Sequence, residues 1–556
     1  MVKFDEHILE SKRYAELRKN EEENLVRALS KQYGYTYVNL SGVSINPEAL
    51  ILVPEATAHE AELVTFEKRN KLISVAIKNP NNEKTKSVLE ELATKWKLSI
   101  YMCSSASLEH AWTRYADQRN TTATKKGVLD IDPAEIKKLR NVFKNSNQVK
   151  EKILEIKSIN PARRVSATLE VIFAGALALR ASDIHIEPEP SGARIRFRLD
   201  GVLHDVVLLE RSVYERLMSR IKLLAGLILN IRNEAQDGRF TFDNGDKTVE
   251  VRTSVIPGSS GESAVMRLLD PSVASFSMDN LGLNSIMYEI INQELKRPNG
   301  MILNTGPTGS GKTTALYAFL RKVHTPEIKI ITIEDPVEYK VEGLVQTQVE
   351  EDYSFASGLR SVLRQDPDVI MVGEIRDREV AETAVHAAET GHLVFSTLHT
   401  NSAAGAFPRL IDLGVDSRLI GSAANIVIGQ RLVRKLCEKC KKPKEATPEE
   451  QDLIYKILEN HPEPPIIKTP LTIYEAPGCE QCSGTGFKGR QGIFEAIKVD
   501  VAVEEAVIRD PREHIIMEAA KAQGIPTMQQ DGIEKVLLGV TSLDELRRVI
   551  DLSNIK

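Results

Sequence analysis

The chain has 556 residues, 42 % hydrophobic and 27 % charged, which is room for several packed domains and the composition of an ordinary globular protein. A net charge of −5 and only 5 % aromatic residues give it no overall attraction for nucleic acid. No apolar run reaches the ~18 residues of a membrane-crossing helix, and Met1–Leu25 is charged throughout where a secretion signal would be apolar.

The expected location is therefore cytoplasmic, with any membrane association only through partners. Residues 1–115 read as a small α/β domain. Leu25, Ala28 and Leu29 have helical spacing within Glu22–Tyr33, Lys71–Ile77 is strand-like, and Thr85–Trp96 is helical again. No catalytic constellation lies there, and Cys103 stands alone. Residues 116–160 are polar and lysine-rich around Thr121, Thr122, Thr124, Lys125 and Lys126, and read as a linker holding one helix.

A second domain, 161–277, opens with a helix over Val165–Arg180. Alternating strands follow at Ala193–Leu199, Val202–Leu208, Thr248–Val255 and Ala264–Leu268, with turns at Gly192, Gly201, Gly245 and Gly258. This predicts an α+β domain with an antiparallel sheet. In 278–430 strands and helices alternate, the pattern of a parallel sheet covered on both faces. Its predicted strands are Met301–Asn304, Ile328–Ile333, Val369–Val372 and Leu393–Leu398. A cysteine-bearing segment (431–495) and a helical region (496–556) complete the chain.

Gly306-Pro307-Thr308-Gly309-Ser310-Gly311-Lys312-Thr313 fits the P-loop pattern, after an apolar strand and before the helix-compatible run from Thr314. Glycines let successive N–H groups turn toward phosphates, and the helix start adds partial positive charge. Lys312 is expected on the β- and γ-phosphates of ATP and Thr313 on Mg²⁺. Two apolar runs then end in acids: Ile330–Ile333 before Glu334, Asp335 and Glu338, and Val369–Val372 before Glu374 and Asp377. Carboxylates at such strand ends suit a metal and an attacking water, and either Glu334 or Glu374 could activate that water. His392 precedes the Leu393–Leu398 strand and His399 follows it. A neutral histidine at a strand end can sense a γ-phosphate.

Cys437-x-x-Cys440 and Cys479-x-x-Cys482 are two knuckles. Four thiolates complete a tetrahedral Zn²⁺ with no open position, so the site is expected to be structural.

The order of P-loop, acid box, Gly373–Asp377 strand end and histidine box resembles the secretion-ATPase superfamily that drives type II secretion and type IV pilus assembly. Ala181–Pro188, Arg196–Gly201, Gln236–Arg239 and Gly261–Asp270 extend the match, which covers about Pro161 to Val540. The resemblance implies a RecA-like ATPase core, a preceding PAS-like α+β domain, and assembly as a homohexamer. It implies that Arg252 and Arg267, with Arg239 as a lesser candidate, approach the nucleotide, and that Glu334, Glu374, His392 and His399 surround it. The cysteine pairs are similar to those of assembly and secretion motors, and retraction motors lack them. Tyr33–Leu40 and Ile51–Glu55 resemble the small domain by which these motors dock onto a cytoplasmic or membrane-embedded platform partner, here expected to be an inner-membrane platform protein. The Arg-Leu-Gly repeat through which some members bind a cyclic dinucleotide is absent, and a charged segment, Phe4–Glu23, opens the chain instead. The expected function is ATP hydrolysis powering pilus assembly. Type II secretion is the alternative, and a nucleic-acid-translocating ATPase a remote one.

Overall fold

The computed structural model describes residues 21–40, 43, 45–50, 52–69, 72–122, 133–156, 161–269, 276–467 and 469–553. Most of the charged Phe4–Glu23 opening, together with Ile51, Lys71, Thr124, Lys125, Lys126 and Asp270, lies outside them. The chain divides into two units, Met1–Val128 and Leu129–Lys556.

In the first unit β1 (Thr36–Tyr37), β2 (Leu63–Arg69), β3 (Leu72–Ile77) and β4 (Lys97–Met102) form one sheet in the order β1-β4-β3-β2. β4 runs parallel to β1 and β3, while β2 and β3 are antiparallel. Ile73 to Ile77 are all buried, as a central strand covered on both faces demands. Helix Glu83–Ala93 starts where the Asn82 side chain accepts the Lys84 N–H. Cys103 lies wholly in this core, and burial pushes its thiol well above the ordinary range.

The second unit opens with helices Pro133–Val142 and Ser146–Glu155, two where the sequence predicts one. Their apolar faces (Ile136, Leu139, Val149, Ile153) join the core of the antiparallel domain. A Cβ on Gly175 would stand 2.7 Å from Val149 Cγ2, so glycine permits the close approach of helix Pro161–Ala178. Six antiparallel strands come next: β5 (Asp183–Glu189), β6 (Gly192–Leu199), β7 (Val202–Glu210), β8 (Gln236–Asp243), β9 (Thr248–Gly258) and β10 (Gly261–Leu269). Their order is β7-β6-β5-β10-β9-β8. The alternation in β6 buries Ala193, Ile195, Phe197 and Leu199. Phe173 of the helix packs against Phe242 with ring centroids 4.9 Å apart. Asp200 (φ 48°) and Gly201 (φ 88°) make the β6–β7 turn, where left-handed conformations match the strand twist.

The third layer system is a sheet of β11 (Gly300–Thr305), β12 (Ile330–Glu334), β13 (Val345–Gln348), β14 (Val369–Val372), β15 (Leu393–Leu398) and β16 (Ala424–Leu436). β19 (Phe487–Lys498) closes one side, in the order β13-β12-β14-β15-β11-β16-β19. All pairs are parallel except β16 with β19. Successive residues feed opposite cores. Met301, Leu303, Ile331 and Ile333 pack against helices Phe355–Val362 and Arg378–Glu389, while Ile302 and Ile330 pack against Lys312–Val323 and Ser285–Glu294. β16 continues through residue 430, the expected domain edge, because its polar half stays paired with β19. Beyond it β17 (Lys442–Glu445) and β18 (Thr472–Glu475) form a small ribbon, and helices Met528–Leu537 and Leu543–Val549 close the core around Val433 and Ile493. No helix among the described residues is long and apolar enough to cross a membrane.

Candidate functional site

Parallel register brings the ends of four strands, β11, β12, β14 and β15, to one edge of the sheet, which β16 runs past. Thr305 lies beside Leu398 and Gly429, Val372 beside Ser396, and Ile333 beside Val372. The loop Gly306–Gly311 leaves β11 there, with positive φ at Gly306, Gly309 and Gly311, and helix Lys312–Val323 begins immediately after it. A Cβ on Gly306 would meet the Gln430 carbonyl at 2.5 Å and Ser310 Oγ at 2.6 Å, so a side chain there would collapse the loop. Pro307, Thr308, Gly309 and Thr313 are exposed, Thr314 is half-buried, and Ser310 is buried with its hydroxyl unpartnered.

Lys312 is buried, and its Nζ donates to the carbonyls of Gly306 (2.7 Å) and Pro307 (3.2 Å). Burial pushes the ammonium down to about 8. The Glu374 carboxylate pulls it back up and the Arg431 guanidinium pushes it further down. A desolvated cation, an orphaned hydroxyl and a helix start facing an open glycine loop are the donor set of a phosphate site. The residues therefore fit a nucleotide.

The two acids differ. Glu334 ends β12 and is buried. Oε2 accepts from the Tyr317 hydroxyl, and Oε1 accepts from Thr332 Oγ1 (2.6 Å) and Gln346 Nε2 (3.1 Å). Glu374 follows β14 after Gly373, whose N–H donates to the Ile333 carbonyl at 2.8 Å. Its oxygens meet Arg376 and His399 Nε2 (3.4 Å), and its charge reaches Lys312. Thr305 Oγ1 and Thr400 Oγ1, 2.6 Å apart, pin the segment after His399 to the root of the P-loop.

His392 is not brought to this edge. It precedes β15, beside Gly300 at the start of β11, and its Nδ1 lies 3.0 Å from the Ala387 carbonyl. The sheet's full depth separates it from the P-loop of its own chain, because His392 and His399 bracket the same strand.

Cross-strand pairing sets Arg198, Asp183, Arg267, Arg252 and Arg239 in one row across β6, β5, β10, β9 and β8. Arg267 Nε donates to Asp183 at 3.0 Å. Arg252 reaches the end of the acid box, donating to Glu338 (2.9 Å) and the Val337 carbonyl (2.6 Å). Arg239 is exposed and makes no ion pair among the described residues. Within this single chain none of the three contacts the P-loop. Sequence reasoning passed over Gln430 and Arg431, which β16 carries past the loop. The Asn304 amide donates to Gln430 at 2.7 Å. The signal was present: a polar pair ends the apolar run Ile426–Ile428, as acids end β12 and β14.

The four cysteine sulfurs lie within 4.8 Å of one another, with separations of 3.8 Å (Cys437–Cys479), 3.9 Å (Cys440–Cys482) and 3.7 Å (Cys479–Cys482). A tetrahedral zinc with bonds of ~2.3 Å needs edges of ~3.8 Å, so the set fits that ion. Although burial opposes it, N–H donors from Cys479 (3.1 Å) and Gly486 (3.3 Å) help bring the Cys482 thiol down to about 7. Beyond the knuckle, Gly489 N–H donates to Asp200 at the β6–β7 turn (2.8 Å).

The family described as type II/IV secretion system protein matches residues 160–548, and the MshEN domain matches residues 33–122. The chain is 37% identical over 530 residues to the type IV pilus assembly ATPase PilB of Myxococcus xanthus, covering 95% of this chain and 91% of that one. It is 44% identical over 383 residues to the type II secretion system ATPase E of Vibrio cholerae, covering 68% and 74% respectively. The X-ray structure of the Legionella pneumophila ATPase DotB shares the fold, with a TM-score of 0.50 at 22% identity over 70% of this chain and 97% of that one. With a P-loop at the edge of a parallel sheet and relatives spanning most of its length, this chain belongs to the type II/IV secretion system protein family and is one of its ATPases.

Proposed function

We propose that the chain is the ATP-hydrolysing motor of type IV pilus assembly, working as a homohexamer at the cytoplasmic face of the inner membrane against a membrane-embedded platform protein. The observation that carries this reading is coverage: similarity to a pilus assembly ATPase runs through 95% of the chain, including the amino-terminal unit. The higher identity to a secretion ATPase, 44%, favours type II secretion as the second reading, but it extends over 68% of the chain.

Lys312 and the loop N–H groups bind the phosphates of ATP, and Thr313 is the Mg²⁺ ligand. When bound, the metal supplies charge neutralisation on the phosphoryl oxygens. Glu374, beside Lys312 and His399, orients and deprotonates the attacking water, and Arg376 and His399 hold it in place. Glu334, both of whose oxygens are engaged, sets the shape of the site. Arg252 and Arg267 approach the nucleotide when the arginine-bearing sheet moves or when a neighbouring subunit supplies them. The cysteines hold a structural Zn²⁺.

Turnover and pilus counts test the reading together. Glu374→Gln should retain nucleotide binding and lose at least ~100-fold in turnover, while Glu334→Gln keeps more of it. Cells carrying Lys312→Ala should lack surface pili. Normal piliation with failed protein export would transfer the chain to type II secretion.

A further inference from the structure

We infer that Arg431 is a phosphate-contacting residue of the nucleotide site, supplied by β16 of the same chain that supplies the P-loop. The inference rests on the nucleotide reading above and adds a second cation to it.

Three observations carry it. First, placement: Thr305, the last residue before the loop, pairs with Gly429, so Arg431 emerges two residues on, level with Gly306. Its Nη1 lies 3.2 Å from where a Cβ on Gly306 would stand. Second, incomplete neutralisation: the half-buried guanidinium makes no ion pair among the described residues. Its acceptors are the Gln430 carbonyl (3.2 Å), the Asn401 carbonyl (2.8 Å) and Asn401 Oδ1 (3.5 Å). The acid that most influences it is Glu495. Glu495 is itself half-buried and already accepts the Ala403 N–H at 2.7 Å. Three residues along the same strand the contrast is plain, since Arg434 meets Glu545 at 2.7 and 3.0 Å. Third, crowding: Lys312 Nζ donates to the Gly306 carbonyl at 2.7 Å and Arg431 Nη1 stands 3.2 Å from where a Cβ on the same Gly306 would lie, so two cations meet at one loop. Partly desolvated like charges cost free energy unless an anion joins them, and a polyphosphate is the anion this loop is shaped for.

The same guanidinium holds the backbone two residues after His399. An arginine that turns toward phosphate releases Asn401, and one without phosphate retains it. A purely bracing arginine would instead need its carbonyl contacts for stability and nothing from the ligand.

The test measures affinity of the full chain for fluorescent ATP and ADP analogues, with melting of the nucleotide-free protein alongside. Arg431→Gln should weaken ATP binding by on the order of tenfold, as loss of a charge-assisted contact does, and leave the ligand-free melting temperature unchanged or higher. Arg431→Lys, which keeps charge without the planar fork, should fall between. Affinity within twofold of wild type in both variants, or a lowered melting temperature at unchanged affinity, overturns the inference and makes Arg431 a brace. Lys312→Ala separates the two readings. Wild-type binding that Lys312→Ala abolishes upholds the nucleotide site whatever Arg431 does, whereas a wild type that binds neither analogue removes both.

Discussion

Two buried lysines of the second unit, each on a helix packed beside one of its two large sheets, have opposite surroundings. Lys222, 1 % exposed beneath the antiparallel sheet, meets Glu262 at 2.6 Å and the Ile231 carbonyl at 2.6 Å. Lys312, 8 % exposed at the edge of the parallel sheet, has two loop carbonyls and, among the described residues, no carboxylate in direct contact. A buried charge that the fold neutralises is part of the scaffold. One that the fold leaves short of counter-charge is held for something that arrives. The cysteine cluster repeats the second case with opposite sign, because four converging thiols are hostile to one another as thiolates until a cation joins them.

The sharpest way to break the comparison is to remove each cation. Lys312→Ala should reduce ATP turnover by a factor of ~10³ or more, measured as phosphate release, with folding stability unchanged or improved. Lys222→Ala should do the reverse. It strands Glu262 and costs ~3–5 kcal/mol in urea unfolding, while nucleotide affinity of the folded fraction stays near wild type. Equal losses of stability in both variants would erase the distinction.

Cys437→Ser should lower bound zinc, read by elemental analysis, and reduce stability by about 2–4 kcal/mol, since metal binding adds to folding free energy. Full zinc content in that variant would show that the remaining three sulfurs suffice.

A smaller effect lies in pH. The folded state releases the Lys312 proton near 8, and the unfolded chain only near ~10.4. The unfolded state therefore binds more protons between these values, and nucleotide-free stability rises with pH across that window by up to about 1.4 kcal/mol per unit. Below 8 the cost is constant. Lys312→Met should lack the rise, so parallel stability curves from pH 7 to 10 would mean the ammonium is not desolvated. Smallest of all, Asp200→Asn keeps an acceptor for the Gly489 N–H but removes the charge that strengthens the bond, and should cost about 1 kcal/mol or less.

Much of this was legible in the chain, and its gaps have causes. Apolar runs closed by a glycine, an acid or a histidine identified β11, β12, β14 and β15 because buried parallel strands read as continuous hydrophobic stretches. β8 was missed as a strand because Gln236-Asp237-Gly238-Arg239 exposes one face and alternates only from Phe240. The helices over 133–155 hid in a lysine-rich stretch because a single apolar stripe, Ile136, Leu139, Val149 and Ile153, is all that they bury. Which glutamate faces the loop depended on Tyr317, Thr332 and Gln346 converging on Glu334, and no spacing rule encodes contacts made between separate elements. His392 shows the limit of proximity in sequence: two histidines flanking one strand must lie at opposite ends of it.

β16 spans 13 residues, from Ala424 to Leu436, with an irregularity in its pairing between Arg434 and Leu436, and Cys437 follows directly. At ~3.3 Å per residue this is a rod about 43 Å long. One stretch of it is locked to the phosphate loop through Asn304 and Gln430, and its tip carries the first sulfur of the cluster. Hydrogen-bonded backbone of this kind hardly stretches, so displacement at one station arrives at the other as tilt rather than being absorbed between them. Any coupling along this strand between a metal held by the sulfurs and a nucleotide held by the loop must be reciprocal, each shifting the grip of the other by an equal factor.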